Sequence, residues 1–221
     1  SRLMNKLLLQ TERGLEIDPD KMMFVMIHRI TEQKGFQLVL NASEGIFKTL
    51  GCQAIIGGAV SSGDDKGEEI AHGLWLLGQY YAKSASVSIG FQEVSVPLLS
   101  ADVFLMPSAH EPGGISQIEA FMCGMLVLAR ATGGLRDTVF PVRRTAEGVE
   151  GNGFLFTDFT PASFYDALER AQKFFSTADE ATLYAARMNA ERSVYYWDRP
   201  AAEYLAMVYD HKEIIRPDRG E

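Results

Sequence analysis

Cysteine is scarce in this chain: its 221 residues contain only Cys52 and Cys123. A pair that sparse argues against a disulfide-built scaffold and reads as two buried, reduced thiols. Histidine is nearly as rare, and His28, His72, His110 and His211 show no metal-ligand spacing. No apolar run approaches the ~20 residues of a membrane span, so no membrane partner is expected. No long segment is charge-rich enough to stay disordered. Basic charge is also in short supply: 21 Lys and Arg face 29 Asp and Glu, for a formal net charge of −8. No basic patch of useful length offsets it, which argues against nucleic acid. An anionic ligand then needs donors placed locally, against the overall field. Neither a G-x-S-x-G elbow nor a P-loop is present. The opening "SRLMNKLLLQ" has no initiator Met and does not read as a signal peptide. We expect a cytoplasmic protein, seen here as a piece of a longer chain.

Apolar material is ample, at 47% of residues, and it alternates between short runs and helical patterns. "MMFVMIHRI" (Met22 to Ile30), "CQAIIGG" (Cys52 to Gly58), "SVSIGF" (Ser86 to Phe91), "DVFLMP" (Asp102 to Pro107), "MLVLAR" (Met125 to Arg130) and "GFLF" (Gly153 to Phe156) read as strands. Gly35 to Leu50, Ile70 to Lys83, Glu93 to Ala101 and Gly114 to Gly124 read as helices, and "SGDDKGEE" (Ser62 to Glu69) as a polar loop. Beyond Phe156 the pattern is mostly helical. Thr160-Pro161 predicts an N-cap with Pro at N1, Thr177 to Glu180 a capping box, and Asp198 a cap for the last helix. Apolar strands alternating with helices predict one α/β domain: a Rossmann-like, doubly wound parallel sheet covered on both faces.

Such a sheet binds ligands at the carboxyl ends of its strands, and the chemistry-bearing residues fall in those loops. "HRITEQKG" sets Arg29 and Lys34 five apart across a strand–helix turn, where both can point at one phosphate. A solvated pair, with Glu32 as partner, is the plainer alternative. "HEPGGISQIEA" puts Glu111 before a Pro-Gly-Gly turn. Gly113 and Gly114 let backbone approach a ligand, and the following helix start offers N–H groups to an anion. Glu119 has two readings: a ligand residue, or the partner of Ser116 in a capping box. "RATGGLRDTV" repeats the device with Gly133 and Gly134. Phe91, just past a strand end, stacks on a flat base or is a plain core or rim residue. The carboxylates of "GDDKGEE" do not match an EF-hand and read as a solvated loop.

Together these motifs resemble the C-terminal domain of the bacterial glycogen and starch synthases, which are retaining GT-B glycosyltransferases of group 1. The family's S-R-L-x-x-Q-K-G is similar to "HRITEQKG", its P-S-x-x-E-P-x-G-L-x-Q to "PSAHEPGGISQ", and its R-x-T-G-G-L-x-D-T-V to "RATGGLRDTV". "NKLLLQTERGLEIDPD" resembles the family's lead-in and "YYWDRPAAEYLAMVY" its closing helix, so the resemblance spans nearly the whole chain. It implies one half of a GT-B fold over residues 1–221, with a lead-in at 1–20 and a terminal helix and tail at 198–221. It implies transfer of glucose, with retention, from ADP-glucose or UDP-glucose to an α-1,4-glucan. Arg29 and Lys34 would then hold the diphosphate and Glu111 the donor sugar. Glu119 would lie near the nucleoside, and Phe91 would stand where the family often stacks Tyr on the base. Gly113, Gly114, Ile115, Ser116, Thr132, Gly133 and Gly134 would line the donor pocket. No metal or other cofactor is implied. His28, Gly113 and Val127 depart from the usual Ser, Cys/Ser/Phe and Pro. The family's K-T-G-G-L loop and acceptor-side residues have no match here, so the glucan would be held by an N-terminal domain outside this chain, which by itself is expected to be inactive. Another retaining GT-B enzyme of the sucrose or trehalose type, or a silent nucleotide-sugar-binding domain, is the alternative.

Overall fold

Six parallel strands form the centre of the molecule: β1 (Met23–Ile27), β2 (Gln53–Gly58), β3 (Ala85–Ile89), β4 (Val103–Met106), β5 (Leu126–Arg130) and β8 (Gly153–Phe156). Their spatial order is β3-β2-β1-β4-β5-β8. The structure is a computed structural model that describes residues 1–194 and 198–209. Every position of β2 and β4 is buried, whereas β3, at the edge, is mostly half-exposed. That gradient is why the inner strands read as unbroken apolar runs and β3 as an alternation. The chain winds outward from β1 through β2 to β3, then returns to the other side of β1 with β4. The winding direction therefore reverses between β1 and β4, and at that switch point the carboxyl-end loops part to leave a crevice.

Helices cover the sheet as the doubly wound expectation requires. α2 (Phe36–Glu44) packs against α3 (Asp65–Tyr80) and α7 (Pro161–Thr177), while α5 (Ser116–Met122) packs against α8 (Glu180–Arg192). Right-handed crossovers place those two groups on opposite faces. α1 (Arg2–Glu12), within the lead-in, docks on α4 (Ser95–Ser100). Its inner face pins it to the sheet through two buried polar pairs. Lys6 Nζ meets Asp102 Oδ2 at 2.8 Å, and Gln10 Nε2 donates to Gln53 Oε1 at 2.6 Å. Asp102 also accepts the Met23 N–H at 2.9 Å, so this buried carboxylate is paired and hydrogen-bonded. Both cysteines are free thiols, Cys52 buried and Cys123 half-buried.

Several local expectations are corrected. α3 begins at Asp65, inside the stretch read as a polar loop. Asp64 caps it by accepting the Gly67 N–H at 2.9 Å, and Asp65 and Glu68 lie in its first turn, where the helix dipole favours carboxylates. The expected long helix to Leu50 stops at Glu44 and continues as a π-helical turn over Gly45–Thr49. There Gly45 makes room for the Tyr165 ring, since a Cβ would lie 2.5 Å from it. The Thr177–Glu180 capping box does not form: Thr177 ends α7, and Asp179 caps α8 by accepting the Thr182 N–H at 2.8 Å. Thr160 does cap α7, accepting from Ser163 N ahead of Pro161. A hairpin of β6 (Arg143–Thr145) and β7 (Gly148–Glu150), followed by β8, has no apolar alternation and was not foreseen. α6 (Gly134–Thr138) follows the second glycine pair, and α9 (Asp198–Tyr209) opens at Asp198. The residues around Trp197 and the tail with His211 lie outside the described residues.

Candidate active site

At the end of β1 the backbone continues straight, with His28 N donating to Gly57 O at 3.1 Å. The His28 ring turns inward and donates Nε2–H to Leu105 O at 2.7 Å, between Phe36 and Phe104. Burial, helped by nearby Lys34, pushes its pKa down to about 4 against the opposing Leu105 hydrogen bond and Glu111 charge, so the ring is neutral. Arg29 points out to solvent. A 3₁₀ turn over Glu32–Lys34 then carries the chain across to the loop after β4. Gly35 sits at φ +82° against that loop, where a Cβ would fall 2.3 Å from Pro107 O. Two hydrogen bonds lace the loops together: Ala109 N to Gln33 O at 2.8 Å and Gln33 Nε2 to His110 O at 2.7 Å.

This close approach delivers Lys34 to Glu111, with Nζ to Oε2 at 2.5 Å and the side chains 14% and 11% exposed. The Ser108 hydroxyl donates to the same Oε2 at 3.1 Å. Glu111 Oε1 has no protein partner among the described residues. The alternative of a solvated Arg29–Lys34–Glu32 group is therefore overturned for Lys34, whose partner comes from 77 residues away. Arg29 makes no ion pair among the described residues.

The loop after β5 closes in from the other side. Gly133, at φ +47°, would place a Cβ 2.0 Å from Glu111 O, and Gly134 N donates to Glu111 O at 3.2 Å and Pro112 O at 3.1 Å. Arg130 bolts three loops together: Nη1 donates to Ala109 O at 2.6 Å, Nε donates to Thr157 O at 2.9 Å, and the guanidinium lies 5.7 Å from the Phe159 ring centroid. Sequence reasoning passed over Arg130, Ser108 and Gln117. All three stand inside the quoted motifs, and their polarity within or beside buried runs was the available signal.

The remaining sequence candidates sort by contact. Gly113 and Gly114 adjoin the cluster, with Gly134 packed on Gly113 O. Thr132 is half-buried before Gly133. Ile115 is 75% exposed at the cap position of α5, and Ser116 is the first residue of that helix. No side chain caps α5, so the Ser116–Glu119 capping box does not form, and the exposed Glu119 side chain makes no hydrogen bond or ion pair among the described residues. Phe91 is 92% exposed beyond β3, which removes the core reading. It follows β3, two strands from β1, and neither it nor Glu119 is hydrogen-bonded or ion-paired to Lys34 or Glu111 among the described residues. Among the described residues, no three His, Cys, Asp or Glu groups could hold a metal ion, and no helix is long and apolar enough to cross a membrane.

A cavity of about 620 Å³ lies at the opposite, amino edge of the sheet, with Arg2, Lys6, Asp102 and Arg187 in its wall. The charges of these four side chains are spent on the fold. Arg2 donates to Leu98 O, Ala101 O and Cys123 O, and Asp102 takes both Lys6 and Arg187. Geometry therefore favours the switch-point loops as the site.

Residues 10–174 match the family model for glycosyl transferases group 1. The chain is 35% identical over 210 residues to the glycogen synthase of Kosmotoga olearia, covering 94% of this chain and 41% of that protein. Against the glycogen synthase of Dechloromonas aromatica the figures are 34% over 209 residues, 93% and 41%. The chain thus spans about two-fifths of the length of these relatives. Among solved structures it is similar to the catalytic domain of starch synthase IV from Arabidopsis thaliana bound to ADP and acarbose. There the TM-score is 0.79 at 25% identity, over 95% of this chain and 42% of that one. HepE from Anabaena, in complex with UDP and glucose, shares the fold, with a TM-score of 0.69 at 18% identity over 93% and 53%. By the match over residues 10–174, the chain belongs to the glycosyl transferases group 1 family.

Proposed function

We propose that this chain is the nucleotide-sugar-binding domain of a glycogen/starch synthase-type glucosyltransferase, which moves glucose from ADP-glucose or UDP-glucose to an α-1,4-glucan with retention. The observation that carries the reading is the meeting of Lys34 and Glu111 at the switch point, ringed by the Gly113-Gly114 and Gly133-Gly134 turns. The glycogen synthase relatives and the ADP-bound starch synthase neighbour support the same reading.

The chemistry follows from the charges. Departure of a nucleoside diphosphate leaves negative charge on the phosphate oxygens and oxocarbenium character on the sugar. Lys34 and the solvent-facing Arg29 are the cations at hand to neutralise the leaving group, and they do so without a metal or other cofactor. Ser108 and Lys34 both engage Glu111 Oε2, which leaves Oε1 to accept hydrogen bonds from sugar hydroxyls. Backbone N–H groups of residues 113–116 and 132–134 add fixed dipoles beside the phosphates. Phe91 stacks on the base and Glu119 serves the nucleoside end. The glucan is held by a further domain of the intact, cytoplasmic protein, so this chain alone elongates nothing.

The test is to incubate the intact protein, and separately this chain, with ADP-glucose or UDP-glucose and a maltooligosaccharide primer. Primer extension through α-1,4 bonds by the intact protein alone is expected. Extension by the isolated chain would refute the division of labour, and no extension with either donor would refute the activity.

A further inference from the structure

Gln117 is 1% exposed in the first turn of α5. Its Nε2 donates to Gly113 O and Gly114 O, each at 3.1 Å, and reaches Thr138 Oγ1 at 3.4 Å. The Thr138 hydroxyl spends its own proton on Gly134 O at 2.7 Å. Three acceptors therefore surround the amide nitrogen. Turning the amide over would press Oε1 against two carbonyls, so only one orientation is electrostatically sensible. In that orientation Oε1 is buried with no hydrogen-bond partner. It rests against Gly114, where a Cβ would fall 2.4 Å away. A buried carbonyl without a partner lowers stability.

We propose that Gln117 is a positioning residue for the sugar-nucleotide donor. It ties the Gly113-Gly114 turn down beside Glu111 and accepts an orphaned carbonyl as the consequence. The proposal rests on the donor-binding reading above. The side chain touches both glycines of the first turn and, through Thr138, α6 behind the second turn, so one amide sets the spacing of the two backbone walls. Gly114 has to be glycine here for two reasons: its φ is +75° and the amide fills the space of its side chain. A residue kept for packing alone could be apolar, because an apolar side chain of the same shape leaves no orphan.

Gln117→Met in the intact protein separates the two roles. Methionine keeps the length, removes the donor and removes the orphan. The freed carbonyls belong to exposed Gly113 and half-buried Gly114 and can turn to water. The melting temperature is expected to hold or rise. The donor KM is expected to rise about tenfold with the acceptor KM unchanged, because a loosened turn misplaces the donor. Amide hydrogen exchange over residues 113–116 is expected to quicken about tenfold. Gln117→Glu, which sets a carboxylate against the two carbonyls, is expected to raise the donor KM further. A lowered melting temperature for Gln117→Met, or an unchanged donor KM and unchanged exchange, would overturn the proposal. If the wild type uses no nucleotide sugar, the donor reading fails on its own terms, and the exchange rates still decide whether Gln117 tethers the turn.

Discussion

Breaking the Lys34–Glu111 pair from one side and then from both gives outcomes that a purely structural ion pair would not. The two side chains are 14% and 11% exposed and 2.5 Å apart. Lys34→Met leaves the Glu111 carboxylate in a largely dry loop with Ser108 as its remaining donor. Removing one partner of a fully buried pair costs roughly 3–5 kcal/mol. Residual solvent access here reduces that to about 2–3 kcal/mol. Lys34→Met/Glu111→Gln takes away both charges, and Ser108 can still donate to the new amide oxygen. Stability is then expected to return to within about 1 kcal/mol of wild type, a recovery of about 2 kcal/mol over Lys34→Met. Donor binding should be weakened at least tenfold in the single and double variants alike, since both lose the Lys34 charge and keep only Arg29 for the diphosphate. Urea unfolding reads the first quantity and calorimetric titration with nucleotide sugar the second. A double variant as unstable as Lys34→Met would refute the buried-charge argument. A double variant that binds donor normally would refute the assignment of the pair to the ligand.

His28 makes stability depend on pH with a defined sign. Its folded pKa of about 4 lies below the ordinary 6.5, so the unfolded chain takes the proton first. The contribution is complete above pH 6.5 and is lost as pH falls toward 4, about 3 kcal/mol in all. Between pH 7.5 and pH 5, wild type should lose about 2 kcal/mol more than His28→Gln in parallel urea titrations, and equal losses would contradict this. Gly133→Ala meets both a positive φ and Glu111 O at 2.0 Å, and it should cost about 2–4 kcal/mol and weaken donor binding. Gly63→Ala, at φ +79° with nothing within 4 Å, is the control for strain alone and should cost about 1 kcal/mol with binding intact.

The sheet was legible because β1, β2, β4 and β5 are almost wholly buried, so polar residues fall only at strand ends, as Gln53 and Arg130 do. Strand limits came out shorter than the apolar runs, since Met22 and Ile30 are buried yet lie outside β1 (Met23–Ile27). The β6–β7 hairpin was invisible for the converse reason: its Arg143 and Arg144 lie on the surface and follow no apolar rhythm. Helix starts failed where several candidate caps were crowded together. Asp179 outcompeted Thr177, and Asp64 drew α3 back into an apparent loop. At the candidate site, Lys34, Glu111 and the four glycines were singled out by motif and spacing. Their mutual contact was not, because it depends on β1 and β4 becoming neighbours across the switch point. Gln117 and Arg130 act by fixing backbone, and a hydrogen bond to a carbonyl leaves no trace in residue spacing.

The central claim is that the switch-point loops bind a nucleoside diphosphate sugar. Calorimetric titration of the intact protein with ADP, UDP, ADP-glucose and UDP-glucose, repeated on Arg29→Ala, tests it most directly. The account predicts saturable binding of at least one glucose conjugate, tighter than its free nucleotide, and weakened at least tenfold by loss of the Arg29 charge. No heat with any of the four, or identical binding by Arg29→Ala, would contradict it.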